Sequence, residues 1–367
     1  MNPADNNRVR RLCGVARPGF GRFVRASSLV ALLALAAACG GGGSETSTSA
    51  TAGTGTGTST GTGGTSTTPS TTSTTSTVAA PTCQERTVVS GKAAGTNALM
   101  PGGTRVRLAT STDGAVFTRT GVTVLDQAAT PSLLLSREGL PYLYVTAHQV
   151  DGRRDGAALS IGSADGATWK HCFLSFTGMP DGVAAVDPDV VTRNDGSYRM
   201  FFTGGLAAGN SLLVIHYADS SDGLTWAYRG VALQLATSVL DSVTFEAGGE
   251  WHMYTLEAAG AAMVHARSSD GASFRFADRS ERTMAGQPYV LSQARQLAGV
   301  TRVFAFGPNG QVIRSFATAD GSTLQAGTVD HLAFSAQEAQ ESQFVKDPAV
   351  VVLRSGVVLM AYATALR

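Results

Sequence analysis

Ser111-Thr-Asp-Gly-Ala-Val-Phe117 returns four times along the chain: as Ser163-Ala-Asp-Gly-Ala-Thr-Trp169, Ser220-Ser-Asp-Gly-Leu-Thr-Trp226, Ser268-Ser-Asp-Gly-Ala-Ser-Phe274 and Thr318-Ala-Asp-Gly-Ser-Thr-Leu324. Successive aspartates lie 52, 57, 48 and 50 residues apart, the period of a supersecondary repeat. Asp-Gly between two strand-like runs predicts a β-hairpin with a type I′ turn, which needs positive φ at both central residues. The aromatic or apolar residue that ends each phrase can then pack under its turn.

A second pattern interleaves with the first: a small or polar residue, often followed by Pro, then a β-branched run, a turn and another apolar run. Its copies start at Thr130, Asp187, Asp241, Gln287 and Asp347 and end on Tyr142-Leu-Tyr-Val145, Tyr198-Arg-Met-Phe-Phe202, Trp251-His-Met-Tyr254, Arg302-Val-Phe-Ala-Phe306 and Val357-Val-Leu-Met-Ala361. Each full period is therefore four short strands, and four-stranded units repeated radially are propeller blades. The repeat region opens on an Asp-Gly hairpin, with strands near 104 to 125, and finishes on a strand pair that lacks one. The two halves complete each other, so the expected fold is all-β, a five-bladed β-propeller over 83–367 whose last blade is built from both termini. Such closure removes the sheet edges that an open array would expose.

Outward from the repeats, 40–81 is almost wholly Gly, Ser, Thr and Ala, too poor in large apolar side chains to offset the entropy of ordering. Before it, six arginines (Arg8, Arg10, Arg11, Arg17, Arg22, Arg25) lead into the apolar run Leu29–Ala38, which has the layout of a secretory signal and is too short for a permanent span. Leu35-Ala-Ala-Ala-Cys39 resembles the lipobox of bacterial lipoproteins, although the leucine sits one place early. The resemblance implies cleavage after residue 38, acylation of Cys39, and a tether over 39–82 that holds the propeller away from a membrane of the cell envelope. Gly40, where a retention signal would place Asp, implies the outer membrane. Once the leader and the lipidated cysteine are set aside, Cys83 and Cys172 remain in an oxidising compartment, either paired or as two buried thiols.

Composition excludes some functions. The 367 residues are 43% hydrophobic and only 15% charged, with 43 glycines, as suits many short strands and turns. The formal charge of +1 comes from the leader; beyond residue 38 there are 22 basic and 26 acidic side chains, and no basic stripe suggests nucleic acid. There is no Gly-rich phosphate loop, nucleophile elbow or Cys/His cluster at metal spacing. No cofactor is called for, although Asp-rich oxygen ligands at the mouth of a propeller would suit Ca²⁺. A monomer is expected.

The phrases Asp187-Pro-Asp-Val-Val, Ser197-Tyr-Arg-Met-Phe-Phe-Thr-Gly204 and Ser220-Ser-Asp-Gly-Leu-Thr-Trp226 resemble the five-bladed propeller glycosidases of glycoside hydrolase families 43, 32 and 68, over roughly residues 100 to 367. Sialidase Asp-boxes differ, with a residue between Asp and Gly. The resemblance implies two catalytic Asp and one Glu near the starts of inner strands. Asp347 matches the general base and Asp187 or Asp241 the second aspartate, but no Glu stands at such a start and Thr130 interrupts the acids. Strand direction offers Glu257 as a substitute acid. His148, Thr130, Gln287 and Trp251 are then candidate ligand-binding residues on the rim. An Asp before Pro also serves simply as a turn residue. Two functions follow as expectations: a tethered propeller that binds glycan or a protein partner without an intact triad, or a surface hydrolase that acts by inversion.

Overall fold

Pro141–Ala147 is buried at every position, which a strand with one wet face would not be. Its alternate side chains point opposite ways, as the period of two requires. Tyr142 and Tyr144 pack with Val190, Tyr198 and Met200 of the following blade, whereas Leu143 and Val145 pack with Ala349, Val351 and Leu359 of the preceding one. Both faces of each sheet are thus interior, and the inner strands read as apolar runs rather than as alternations.

The computed structural model describes residues 82–152, 154–206, 210–258 and 262–367. Cys39, the leader and nearly all of the tether lie outside the described residues. Five antiparallel sheets form the ring. The first four blades have inner strands Ala128–Leu135, Val186–Thr192, Val239–Ala247 and Val290–Leu297. The fifth is ordered Thr118–Asp126, Thr104–Ser111, Val358–Ala365, Lys346–Val352, so its outer half comes from the start of the folded region and its inner half from the end. Thr104–Ser111 pairs with Val358–Ala365 over its whole length, which closes the ring as the complementary ends foretold.

Five apolar clusters among the described residues mark the five blade interfaces. The cluster holding Phe304, Ile313, Val350, Met360 and Tyr362 joins the fourth blade to the fifth, and the one holding Phe201, Ile215, Met253 and Val264 joins the second to the third. Each fully buried Leu, Phe or Met contributes about 1.5–3 kcal/mol.

The hairpins differ in detail from the sequence expectation. In all five, positive φ is confined to glycine (Gly114, Gly166, Gly223, Gly271, Gly321), and the aspartates are not left-handed. The turn is therefore not type I′. Ser163 O accepts from Gly166 N at 2.8 Å, a four-residue turn followed by a left-handed glycine. The aspartate instead accepts backbone N–H groups: Asp222 Oδ1 takes Leu224 N and Thr225 N, both at 2.8 Å. Each tryptophan closes its own hairpin, Trp226 Nε1 donating to Gly223 O at 3.2 Å and Trp169 Nε1 to Gly166 O at 3.0 Å.

The segment before the ring is pinned to the outer edge of the first blade. Cys83 and Cys172 form a disulfide, and Glu85 bridges Cys172 in antiparallel fashion. The loop closed is 89 residues long in sequence separation, so the bond chiefly restricts the unfolded chain. Replacing both cysteines by serine should lower the stability by about 2–4 kcal/mol in urea unfolding. An unchanged midpoint would mean that the segment contributes no restraint.

Candidate functional site at the mouth of the channel

Each inner strand is interrupted near its start by a β-bulge, a device that re-aims side chains. In four blades the register slips by one residue, between Ala129 and Ser132, Val186 and Asp189, Leu240 and Val243, and Lys346 and Ala349. The first residue within each slip is left-handed: Thr130 at φ 46°, Asp187 at 52°, Asp241 at 54° and Asp347 at 51°. Positive φ is tolerable for Asp but costly for β-branched Thr, and such strain persists where surrounding bonds over-determine it. The threonines of the second strands supply those bonds. Thr146 Oγ1 accepts from Asp187 N at 2.7 Å, and Thr203 Oγ1 accepts from Asp241 N at 3.2 Å, each reaching into the next blade. Thr130 Oγ1 lies 2.7 Å from Thr146 Oγ1, which extends the same chain of hydroxyls.

Three aspartates and one lysine therefore converge on the channel mouth. Lys346 Nζ is 3.1 Å from Asp347 Oδ2. Asp187 and Asp241 are within hydrogen-bonding reach of each other. Burial lifts the Asp241 pKa well above the usual carboxylate range, and the charges of Asp187 and Asp347 lift it further. Asp187 is also raised, again chiefly by burial, while hydrogen bonds from Thr203, Asp241 and Thr130 oppose the rise. Burial disfavours the Lys346 ammonium, but Asp347, Asp241 and Asp187 together hold its pKa above normal. The cluster thus keeps a proton between two carboxyls and a full positive charge beside the third. Among the described residues no group of three or more His, Cys, Asp or Glu side chains is arranged to hold a metal ion. The ammonium supplies the positive charge at this point.

Below the mouth the channel is crossed by polar side chains. Gln293 ties the fourth blade to the fifth and, across the channel, to the first, accepting from Val350 N at 2.6 Å and donating to Leu133 O at 3.1 Å. Arg295 donates to Leu133 O and, at 3.1 Å, to Val350 O. Asp189 Oδ2 accepts from Thr244 N at 2.6 Å and Ser132 Oγ from Val190 N at 3.0 Å. Burial raises the Asp189 pKa to about 7 and lowers that of Arg295 to about 10, each charge easing the other's burden.

The remaining candidates lie elsewhere. Gln287 is not at an inner-strand start: it belongs to a separate two-stranded hairpin, Thr283–Met284 with Gln287–Pro288, and is exposed. Ala285 and Gly286 are both left-handed, so the turn expected of the Asp-Gly phrases occurs here instead. The inner strand begins at Val290, and Ser292 occupies its bulge. Glu257 stands at the end of its strand, held by Arg279 at 2.8 and 2.9 Å and by Thr237 Oγ1 at 2.6 Å. It is not among the groups acting on Asp187, Asp241 or Lys346. Trp251 lies at the opposite end, over Gly271, where an added Cβ would come within 2.8 Å of the indole. His148 pairs with Asp155 at 2.8 Å and lines a peripheral cleft without the three aspartates.

Sequence reasoning missed Lys346, Thr146, Thr203, Asp189, Gln293 and Arg295. Lys346 had a signal, since its counterparts Ala129, Val186 and Leu240 are apolar.

Asp189 offers a test. Its unfolded pKa is about 4 and its folded value about 7, so the native state binds the extra proton between those limits and loses stability as pH rises through them. Asp189→Asn keeps an acceptor and removes the titration. Its stability relative to wild type should increase steadily from pH 4 to 7 in urea unfolding, and a pH-independent difference would refute the assignment.

No protein-family model matches the chain, and no curated protein matches it in sequence. Solved structures do match. A thermostable family-43 glycoside hydrolase superposes with a TM-score of 0.51 at 12% identity, covering 65% of this chain and 88% of that one. The exo-β-1,3-galactanase of Phanerochaete chrysosporium with β-1,3-galactotriose gives 0.45 at 14% identity, over 71% and 64% of the two chains. The GH32 β-fructofuranosidase of Bombyx mori gives 0.44 at 12%, over 63% and 54%. The chain is a five-bladed β-propeller with the fold of a family-43 glycoside hydrolase.

Proposed function

We propose that the chain is a lipid-anchored protein of the cell envelope, at the outer membrane, whose propeller binds glycan at the channel mouth without hydrolysing it. The observation that carries this reading is that both members of the expected acid–base pair are already engaged by basic side chains, whereas glycoside hydrolysis needs one carboxyl free to donate a proton and a partner free to act opposite it. Asp347 is engaged by Lys346 at 3.1 Å, and Glu257 is held by Arg279 through two bonds at 2.8 and 2.9 Å.

Such a cluster is suited to hydroxyl groups. A half-buried proton-sharing pair offers lone pairs and one O–H, and the flanking Thr130 and Thr146 hydroxyls extend the donor and acceptor set. Neutral sugars match this pattern. The leader-like run, the lipobox-like Cys39 and the Gly/Ser/Thr-rich sequence after it support an anchored module whose ligand lies outside the membrane.

The test is a panel of aryl glycosides (arabinofuranoside, xyloside, fructoside, galactoside) alongside a neutral oligosaccharide array. No turnover is expected above background, with glycan retention on the array lost by about tenfold or more in Asp187→Ala. Turnover abolished by Asp347→Asn would instead establish the hydrolase and overturn this reading.

A further inference from the structure

A second concave site lies at the rim, where the segment following Cys83 crosses the junction of the fifth and first blades. The cleft has a volume of about 320 Å³, at the small end of the range for ligand pockets. His148 and Gln149 follow the strand Pro141–Ala147, and Gln127 precedes Ala128–Leu135, so the cleft opens on the same end of the ring as the aspartates.

The charges lining it do not balance. Glu85 is paired with Lys170 at 3.0 Å. Asp126 is taken by Arg105 at 2.9 and 3.0 Å and by Gly91 N at 2.7 Å. The guanidinium of Arg86, half-buried on the cleft wall, has no hydrogen bond or ion pair among the described residues, and burial lowers its pKa. No carboxylate offsets its charge. His148 gives Nδ1 to Asp155, which leaves Nε2 facing no partner among the described residues. Phe173 provides an apolar wall.

The backbone around this cleft is also strained. Gln127 is left-handed at φ 57° and Gln149 at 44°, joined by His148 N donating to Gln127 O at 2.9 Å. Neither glutamine is the glycine or asparagine that such turns favour, and strain of this kind collects at ligand sites. Arg86 itself is fixed by Arg86 N donating to His171 O at 2.8 Å and by the disulfide three residues earlier. An unpaired guanidinium carried on an anchored backbone is a receptor for a planar or tetrahedral anion.

We propose that this cleft binds the anionic group of an acidic sugar, a carboxylate or sulfate, with Arg86 as the principal contact and His148 Nε2, an acceptor while Nδ1 donates to Asp155, taking a sugar hydroxyl. It rests on the reading of the propeller as a glycan binder and adds an acidic residue to the ligand, at a site apart from the mouth.

The experiment is ligand-observed saturation-transfer NMR on the full chain, with digalacturonate, sulfated galactose, neutral galactobiose and acetate as probes. At least one of the two acidic sugars is expected to bind, with acetate far weaker than either. Their affinity should drop roughly tenfold or more in Arg86→Ala and partly recover in Arg86→Lys. It should weaken as salt is raised, and also on reduction of the disulfide, which frees the segment. Asp187→Ala should leave it unchanged, whereas neutral glycan binding shows the reverse dependence, so failure of one reading is distinguishable from failure of the other. Equal binding of acidic sugars by wild type and a folded Arg86→Ala, or no binding by wild type, would overturn the proposal.

Discussion

A four-stranded sheet with two apolar faces cannot be buried by itself; it needs another such sheet on each side. In this chain the need is met by a ring, and every other feature follows from it. Tyr144 and Val145 are neighbours in sequence yet belong to different interfaces, one towards the second blade and one towards the fifth. Because each blade is buried on both sides, an open arrangement would leave two apolar faces wet. The pairing of Thr104–Ser111 with Val358–Ala365 is what prevents it.

The same geometry creates the mouth. Five inner strands run side by side around one axis, so their bulges fall in one layer and deliver side chains from blades far apart in sequence to a single point. Asp187 and Asp347 are separated by 160 residues, yet the Asp347 charge helps raise the Asp187 pKa. The left-handed backbone at Asp187 and Asp241 is held by hydroxyls one blade away, so this part of the site inherits its rigidity from the packing of blade on blade. Gln293 and Arg295 brace the layer beneath by bonding to the fifth blade and, across the channel, to the first.

The repeats made the architecture legible, because Asp-Gly hairpins and apolar strand pairs leave a period that survives without any alignment. The site was legible where the same repeat carried it: Asp187, Asp241 and Asp347 stand where the pattern puts them. It failed in the fourth blade, where Gln287-Pro imitated the Asp-Pro of the other copies while a two-residue turn at Ala285-Gly286 shifted the inner strand onward. Glu257 follows from strand direction alone, and direction says nothing of a side chain's partners; Arg279, two strands away on the outermost strand of the blade, holds it. Lys346 and the threonines act through contacts between blades, which no local pattern encodes.

The account stands on a shared proton at the mouth, and carboxyl ¹³C NMR reads it directly. Titration of the aspartate side chains in the intact protein should find Asp241 still protonated well above the range in which exposed aspartates ionise, with Asp187 responding as Asp241 loses its proton. Two independent, ordinary ionisations complete by pH 5 would contradict it, and would return the mouth to the separated carboxylates of a hydrolase.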